Sequence, residues 1–221
     1  VTDLHSPAVA VVIPAFNGAA FLPEAIASVR DQGDVVDELV VVDNASTDDT
    51  ARVAAALGVR VVDEPRPGAG VARRAGLAAT KADVVLFLDC DDLLEPGAVA
   101  ALCAALRETG ADFVHGMLEN RVLPGLEGRF RFPEGPVSAP LASASVVRRD
   151  VFDRFGPFGD DDFSWAAWYE QAQTRGLRIA TIPDLVCVRR IHGANTTITS
   201  GTYAPYFDLI RARLRSRSET S

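Results

Sequence analysis

The stretch DVVLFLDCDDLLE, residues 83–95, decides the fold. Its apolar run, Val84 to Leu88, ends in three carboxylates, Asp89, Asp91 and Asp92. An unbroken run of buried-type residues marks a strand covered on both faces, as in a parallel sheet, rather than one with a solvated side. The carboxyl end of such a strand lies where open α/β sheets bind ligands. Several acids there repel one another and lose hydration unless a cation or hydrogen-bond donors compensate. Carboxylate oxygens in that number suit a hard divalent metal. A solvated turn capping the helix after Pro96 would account for one acid, and less well for three.

Upstream, residues 8–13 form another apolar strand, and 21–32 carry Leu22, Ala25, Ile26 and Val29 at the spacing of one helical face. Strands follow at 38–42 and 59–62, and helices at 50–57, 70–80 and 96–109. Residues 46–49 supply caps for the 50–57 helix, Gly58 stops it, and Pro96 suits a helix start. Four β-α repeats predict an α/β fold with a doubly wound, mostly parallel sheet. After Gly110 the rhythm changes. A strand is expected at 111–119, and 121–140, rich in Gly and Pro, is expected to be loop or short antiparallel pieces. A strand fragment at 145–148 and helices at 150–155 and 163–175 come next, then two strands at 178–182 and 185–191 and a last helix at 203–215.

The chain has 221 residues, 48% of them hydrophobic, which is enough for one sizeable domain. A net charge of −8 argues against a nucleic-acid surface, which needs a basic face. No apolar run approaches the roughly 18 residues of a membrane span. The opening residues VTDLHSP lack the regions of a signal peptide, so the expected location is cytoplasmic. Cys90, Cys103 and Cys187 are odd in number and scattered, defining neither a disulfide framework nor a zinc site.

The loops carry the chemistry. Pro14-Ala15-Phe16-Asn17-Gly18 gives a rigid turn, a stacking surface and a two-sided hydrogen-bonding side chain at the end of the first strand. That combination suits a flat base, although an ordinary βα turn reads the same way. The second strand ends in Asp43-Asn44-Ala45-Ser46, where Asp43 can accept from a ring N–H or the group can simply cap a helix.

In order, PAFN, VVDNAS, GAGVARRAGL and FLDCDD resemble the family-2 glycosyltransferases of the GT-A fold. The resemblance implies one domain over 1–221, with a nucleotide-sugar-binding half at 1–110, an acceptor-side half at 111–200 and a C-terminal helix and tail at 201–221. It implies that Pro14, Phe16 and Asn17 line the nucleotide pocket and that Asp43 binds the base, usually uracil. Gly68 and Arg73 match the third motif, with backbone near the nucleotide and a cation near the phosphates or acids. Asp89, Cys90 and Asp91 form the D-x-D, with Asp91 the metal ligand and Asp89 on ribose or sugar hydroxyls. Arg190-x-His192-x-x-Asn195 resembles the family's late R-x-H-x-x-N, implying His192 as a second ligand to Mn2+ or Mg2+ and Arg190 beside the diphosphate. His5 and His115 have no such setting.

The implied reaction is an inverting, metal-dependent transfer from a nucleotide-diphosphate sugar, UDP-linked in most relatives, to a saccharide, lipid carrier or peptide. It needs a carboxylate that removes the acceptor proton. Asp162 is the first choice and Asp161 the second, a helix N-cap being the alternative role of the 160–162 acids. Two positions depart from the family. Arg74 stands where Asn is usual, and Ser164 where relatives often carry an acid. They keep open a non-catalytic sugar-nucleotide-binding or partner protein on the same scaffold. A nucleotidyltransferase is the other rival, but it places a basic Gly-rich loop after the first strand, where this chain has PAFNG.

Overall fold

The computed structural model describes residues 7–129, 132–162 and 164–195. The expected helix at 203–215, and residues His5 and Phe163, lie outside them. The β-α repeats are present as β1 (Val9–Ala15), α1 (Leu22–Arg30), β2 (Glu38–Asp43), α2 (Thr50–Ala56), β3 (Arg60–Asp63), α3 (Ala69–Ala79), β4 (Val84–Phe87), β5 (Asp92–Leu94) and α4 (Ala98–Thr109). The second half adds β6 (Phe113–Val122), β7 (Val137–Ser138), β8 (Ser145–Arg148), α5 (Asp150–Phe155), α6 (Ser164–Thr174) and β9 (Ile179–Ile191).

These strands form one sheet in the order β3-β2-β1-β4-β8-β6-β9-β5, with β7 on β6. Strands β1 to β4, β6 and β9 run one way, and β8, β7 and β5 run the other. In β1, Val9, Val11 and Ile13 pack into one layer with Leu22 and Ile26 of α1 and Leu102 of α4. Val12, between them, joins Val85 and Phe87 of β4, Ala72 of α3 and Trp165 and Trp168 of α6 in the opposite layer. Successive side chains point to opposite faces, and both faces are covered. That is why these strands read as continuous apolar runs, each fully buried Val or Leu contributing roughly 1.5–3 kcal/mol.

Two features depart from the pattern expected of the sequence. β5, three residues that begin with the last of the three acids, pairs antiparallel with β9, Asp92 opposite Arg189 and Leu94 opposite Cys187, where no strand was expected. The two strands expected at 178–182 and 185–191 are one strand, β9, interrupted by bulges. Thr181 pairs with His115 and Leu185 with Met117, so residues 182–184 lie opposite Gly116 alone. Pro183 has no N–H for a ladder and is tolerated at such a bulge. Gly116 makes room for it, since a Cβ there would fall 2.6 Å from Val186 Cγ1.

Below the sheet, just before β6, the buried Asp112 accepts from Arg178 Nη2 at 2.7 Å and pairs with Arg154 Nη2 at 2.8 Å. Burial alone would raise this carboxyl, but the hydrogen bonds from Arg178 and Arg154 hold it at about 2. At the other end, β1 has β2 on one side and β4 on the other, so the chain reverses its direction of travel across the sheet there. The loops after β1 and β4 flank the crevice this creates. The pairing of β5 with β9 brings residues 89–92 beside 189–195.

Candidate functional site

Phe16, at the crevice, is 58% exposed, while Pro14 is buried within β1 opposite Val42. Asn17 takes a left-handed φ of 50°, which an Asn tolerates. Its side-chain oxygen accepts from the Thr47 and Asp48 amides at 2.8 and 3.3 Å, and its own amide donates to Ser46 Oγ at 3.0 Å. Asn17 therefore ties the first loop to the second. Asn44 is buried and brackets the next connection, donating to the carbonyls of Glu64 and Arg66 and accepting from the Gly68 amide at 2.9 Å. Beside it, Asp43 Oδ1 is buried, with no hydrogen-bond partner among the described residues.

Arg73, on α3, is buried and donates through Nη2 to Asp89 Oδ1 at 2.9 Å. Its Nε and Nη1 are buried without partners. Asp89 is also fixed through its amide, which donates to Ser143 Oγ at 3.1 Å. Buried polar groups are normally paired, so an acceptor at Asp43 and two donor atoms at Arg73 left unmatched at strand ends mark places that a ligand's polar edge would complete.

The second acid of the D-x-D faces elsewhere. Asp91 Oδ2 accepts from Asn195 Nδ2 at 2.7 Å and lies 3.0 Å from His192 Nε2. The Ala194 amide lies 3.3 Å from His192 Nδ1. Burial works to raise the Asp91 carboxyl, yet the hydrogen bond and charge of His192 bring it below its ordinary value. His192 is stacked on Phe21 with centroids 4.2 Å apart. Arg190 is buried, its guanidinium committed to Glu24, to the Asp91 carbonyl and to the Phe21 carbonyl at 3.1 Å, so it clasps β9 to the start of α1. Asp92 is buried and accepts from the Arg190 amide at 3.3 Å; burial, then the charges of Asp91 and Asp89, push its carboxyl well above the usual range. Burial and the same two neighbours raise the Cys90 thiol. Its Sγ occupies the space a Gly18 side chain would need, 2.7 Å from a Cβ built there.

Opposite lies the loop carrying Asp160, Asp161 and Asp162, all exposed. Asp162 Oδ1 accepts from the Ala69 amide at 2.9 Å, at the first turn of α3. The Asp161 carbonyl accepts from the Gly70 amide at 3.3 Å. Arg74 donates to the Phe158 and Gly159 carbonyls and pairs with Asp160. Gly68 (φ 127°) and Gly70 are glycine because a Cβ would meet the carbonyl oxygens of Asp160 and Gly159 at 2.2 and 2.0 Å. Ser164 is buried in this seam, with its Oγ unpartnered. The close approach at Gly68 is thus to the acid loop, where the motif implied a nucleotide.

Among the described residues no group of three His, Cys, Asp or Glu converges as a metal cage. Asp91 and His192 would offer one oxygen and one nitrogen donor to a cation, from atoms that now face each other at 3.0 Å. Asn44, Ser143, Phe21 and Glu24 were not singled out in the sequence. Each acts across a long sequence separation, and only Asn44 had a local signal, beside Asp43.

The sheet and its order of strands are of GT-A type. The profile of glycosyl transferase family 2 matches residues 10–134, and the chain belongs to that family. An uncharacterised glycosyltransferase of Mycobacterium tuberculosis is 43% identical over 109 residues, 49% of this chain and 48% of the relative. Glucosyl-3-phosphoglycerate synthase from the same organism is 43% identical over 97 residues, 40% of this chain and 30% of the relative. The chain spans about half the length, or less, of these relatives. A crystal structure of that synthase with Mn2+, UDP and glucosyl-3-phosphoglycerate superposes with a TM-score of 0.66 at 29% identity, covering 84% of this chain and 73% of the other. S. aureus TarS in complex with UDP-GlcNAc gives a TM-score of 0.68 at 18% identity, covering 89% and 62%, a likeness of fold. No helix among the described residues is long and apolar enough to cross a membrane.

Proposed function

We propose that the chain transfers a sugar from a UDP-sugar to an acceptor hydroxyl, assisted by Mn2+ or Mg2+. The observation that carries this reading is the unmatched set at the switch point, Asp43 Oδ1 with Arg73 Nε and Nη1. A uracil ring offers an N–H to the carboxylate, and donor oxygens offer acceptors to the guanidinium. The synthase structure with UDP and Mn2+, at 29% identity, supports the same assignment. Phe16 supplies an exposed ring beside the base, and Asn17 and Asn44 hold the two loops that carry these groups.

Asp91 and His192 would hold the cation, which when bound offsets charge on the departing diphosphate. Asp89, oriented by Arg73 and Ser143, is the group for ribose or sugar hydroxyls. Asp162 is held through Oδ1 by the Ala69 amide, and its second oxygen takes the acceptor proton. The acceptor oxygen then bonds to the anomeric carbon, the bond from that carbon to the diphosphate oxygen breaks, and UDP leaves from the opposite face, inverting the centre.

A second reading has an observation of its own. Ser164 is buried in place of an acid, as fits a protein that binds sugar nucleotides without turning them over. One experiment separates the two: UDP titration and UDP-sugar hydrolysis with Mn2+, in wild type and Asp91→Ala. Hydrolysis that is lost in the variant supports the transferase. UDP binding without any hydrolysis by the wild type supports the binding protein, and the absence of UDP binding overturns both.

A further inference from the structure

Arg73 and Arg74 are neighbours on one turn of α3, yet they point to different halves of the site: Arg73 to Asp89 at the end of β4, Arg74 to the 158–160 backbone. Consecutive helical residues diverge by roughly 100°, so a single turn grips both sides. The grip on the acid loop has several points. The Ala69 and Gly70 amides hold Asp162 and the Asp161 carbonyl, Arg74 holds two carbonyls and Asp160, and the loop backbone rests directly on Gly68 and Gly70. Of these, only Arg74 is a long side chain reaching out from the helix.

We propose that Arg74 is a positioning residue: it fixes the 158–162 loop to α3, and so sets the distance between the attacking hydroxyl held there and the donor sugar held at Asp89. The inference rests on the transferase reading. Among the described residues the hydrogen bonds of Arg74 all go to the loop, and none to Asp43, Arg73 or Asp89. Loosening the loop leaves UDP bound but misplaces the attacking oxygen, and small misplacements of reacting groups cost rate steeply.

The test compares wild type, Arg74→Ala and Arg74→Lys with Mn2+, using UDP titration, turnover of UDP-glucose and UDP-GlcNAc with water as acceptor, and hydrogen exchange. The expected result for Arg74→Ala is a UDP Kd within about twofold of wild type, kcat lower by about tenfold or more, and faster exchange at the amides of 159–162. Arg74→Lys, which keeps a cation for Asp160 and one or two carbonyls, recovers part of the rate. Equal losses in UDP affinity and kcat, or unchanged kcat, overturn the proposal. If the wild type neither binds UDP nor turns over either donor, the transferase reading fails instead, and exchange still judges the clamp: unchanged protection at 159–162 in Arg74→Ala overturns it.

Discussion

At the ends of β2 and β4, Asp43 and Arg73 keep buried hydrogen-bonding atoms unmatched, whereas across the seam Asp160 and Asp162 are bound to Arg74 and the Ala69 amide. Both regions are polar, acid-bearing and close to α3. The first is preorganised but unsaturated, which suits recognition of a ligand edge; in the second the loop backbone and two of its acids are bound to α3, which suits holding a group still.

The sharpest way to break this contrast is at Asp91, which is held by His192 and Asn195 and is the proposed ligand of the cation. Asp91→Ala is expected to lower UDP-sugar turnover with Mn2+ by about 10²–10³-fold, while circular dichroism shows the fold retained. At Asp43 the two properties separate in sign. Asp43→Asn removes a charged acceptor that the protein leaves unpaired, so UDP affinity falls by about 10- to 100-fold, and melting temperature holds or rises because a buried unmatched carboxylate oxygen is gone. A parallel fall in both would mean that Asp43 is scaffold.

The structural carboxylate is Asp112, far from the crevice. Asp112→Ala is expected to cost about 2–3 kcal/mol, the loss of charge-assisted bonds to two arginines that can rehydrate, with UDP binding unchanged. Its folded-state pKa of about 2 lies below the ordinary 3.8, so the stability it contributes is complete above that ordinary value and is lost as pH falls through the interval towards 2. Urea midpoints measured between pH 5 and pH 2 should therefore fall more steeply in wild type than in Asp112→Ala. The smallest effect is expected at Asn17: Asn17→Ala cuts the tie between the first two loops, costing about 1–2 kcal/mol, read as a melting shift of a few degrees.

The fold was legible where chemistry repeats along the chain. Runs such as 84–88 and 8–13 can only be strands covered twice, and the order of loops at their ends placed Asp43, Arg73, Asp89 and Asp91 in one region. What the sequence hid acts across distance or breaks a period. β5 has three residues, too few to show alternation. Pro183 lies between the two expected strands, and the residue that accommodates the bulge there, Gly116, is on another strand. Arg190 has partners, Glu24 and Phe21, more than 160 positions away, which no local pattern shows. The Asp160 carbonyl that crowds Gly68 likewise comes from a distant loop. Glycine reports closeness without naming what comes close.

The bulges of β9 also act as a phase shifter. Six steps along β9, from Thr181 to Cys187, match three along β6, from His115 to Leu118. In regular strands six steps return a side chain to its starting face and three do not, so the irregular stretch supplies half a rotation. The arm that ends in Arg190, His192 and Asn195 emerges with its facing set by that odd count, before any contact with Asp91 is made. Insertion or removal of one residue between Thr181 and Cys187 would turn the arm over, sending the imidazole to the wrong side of the sheet while every residue of the motif remained in place.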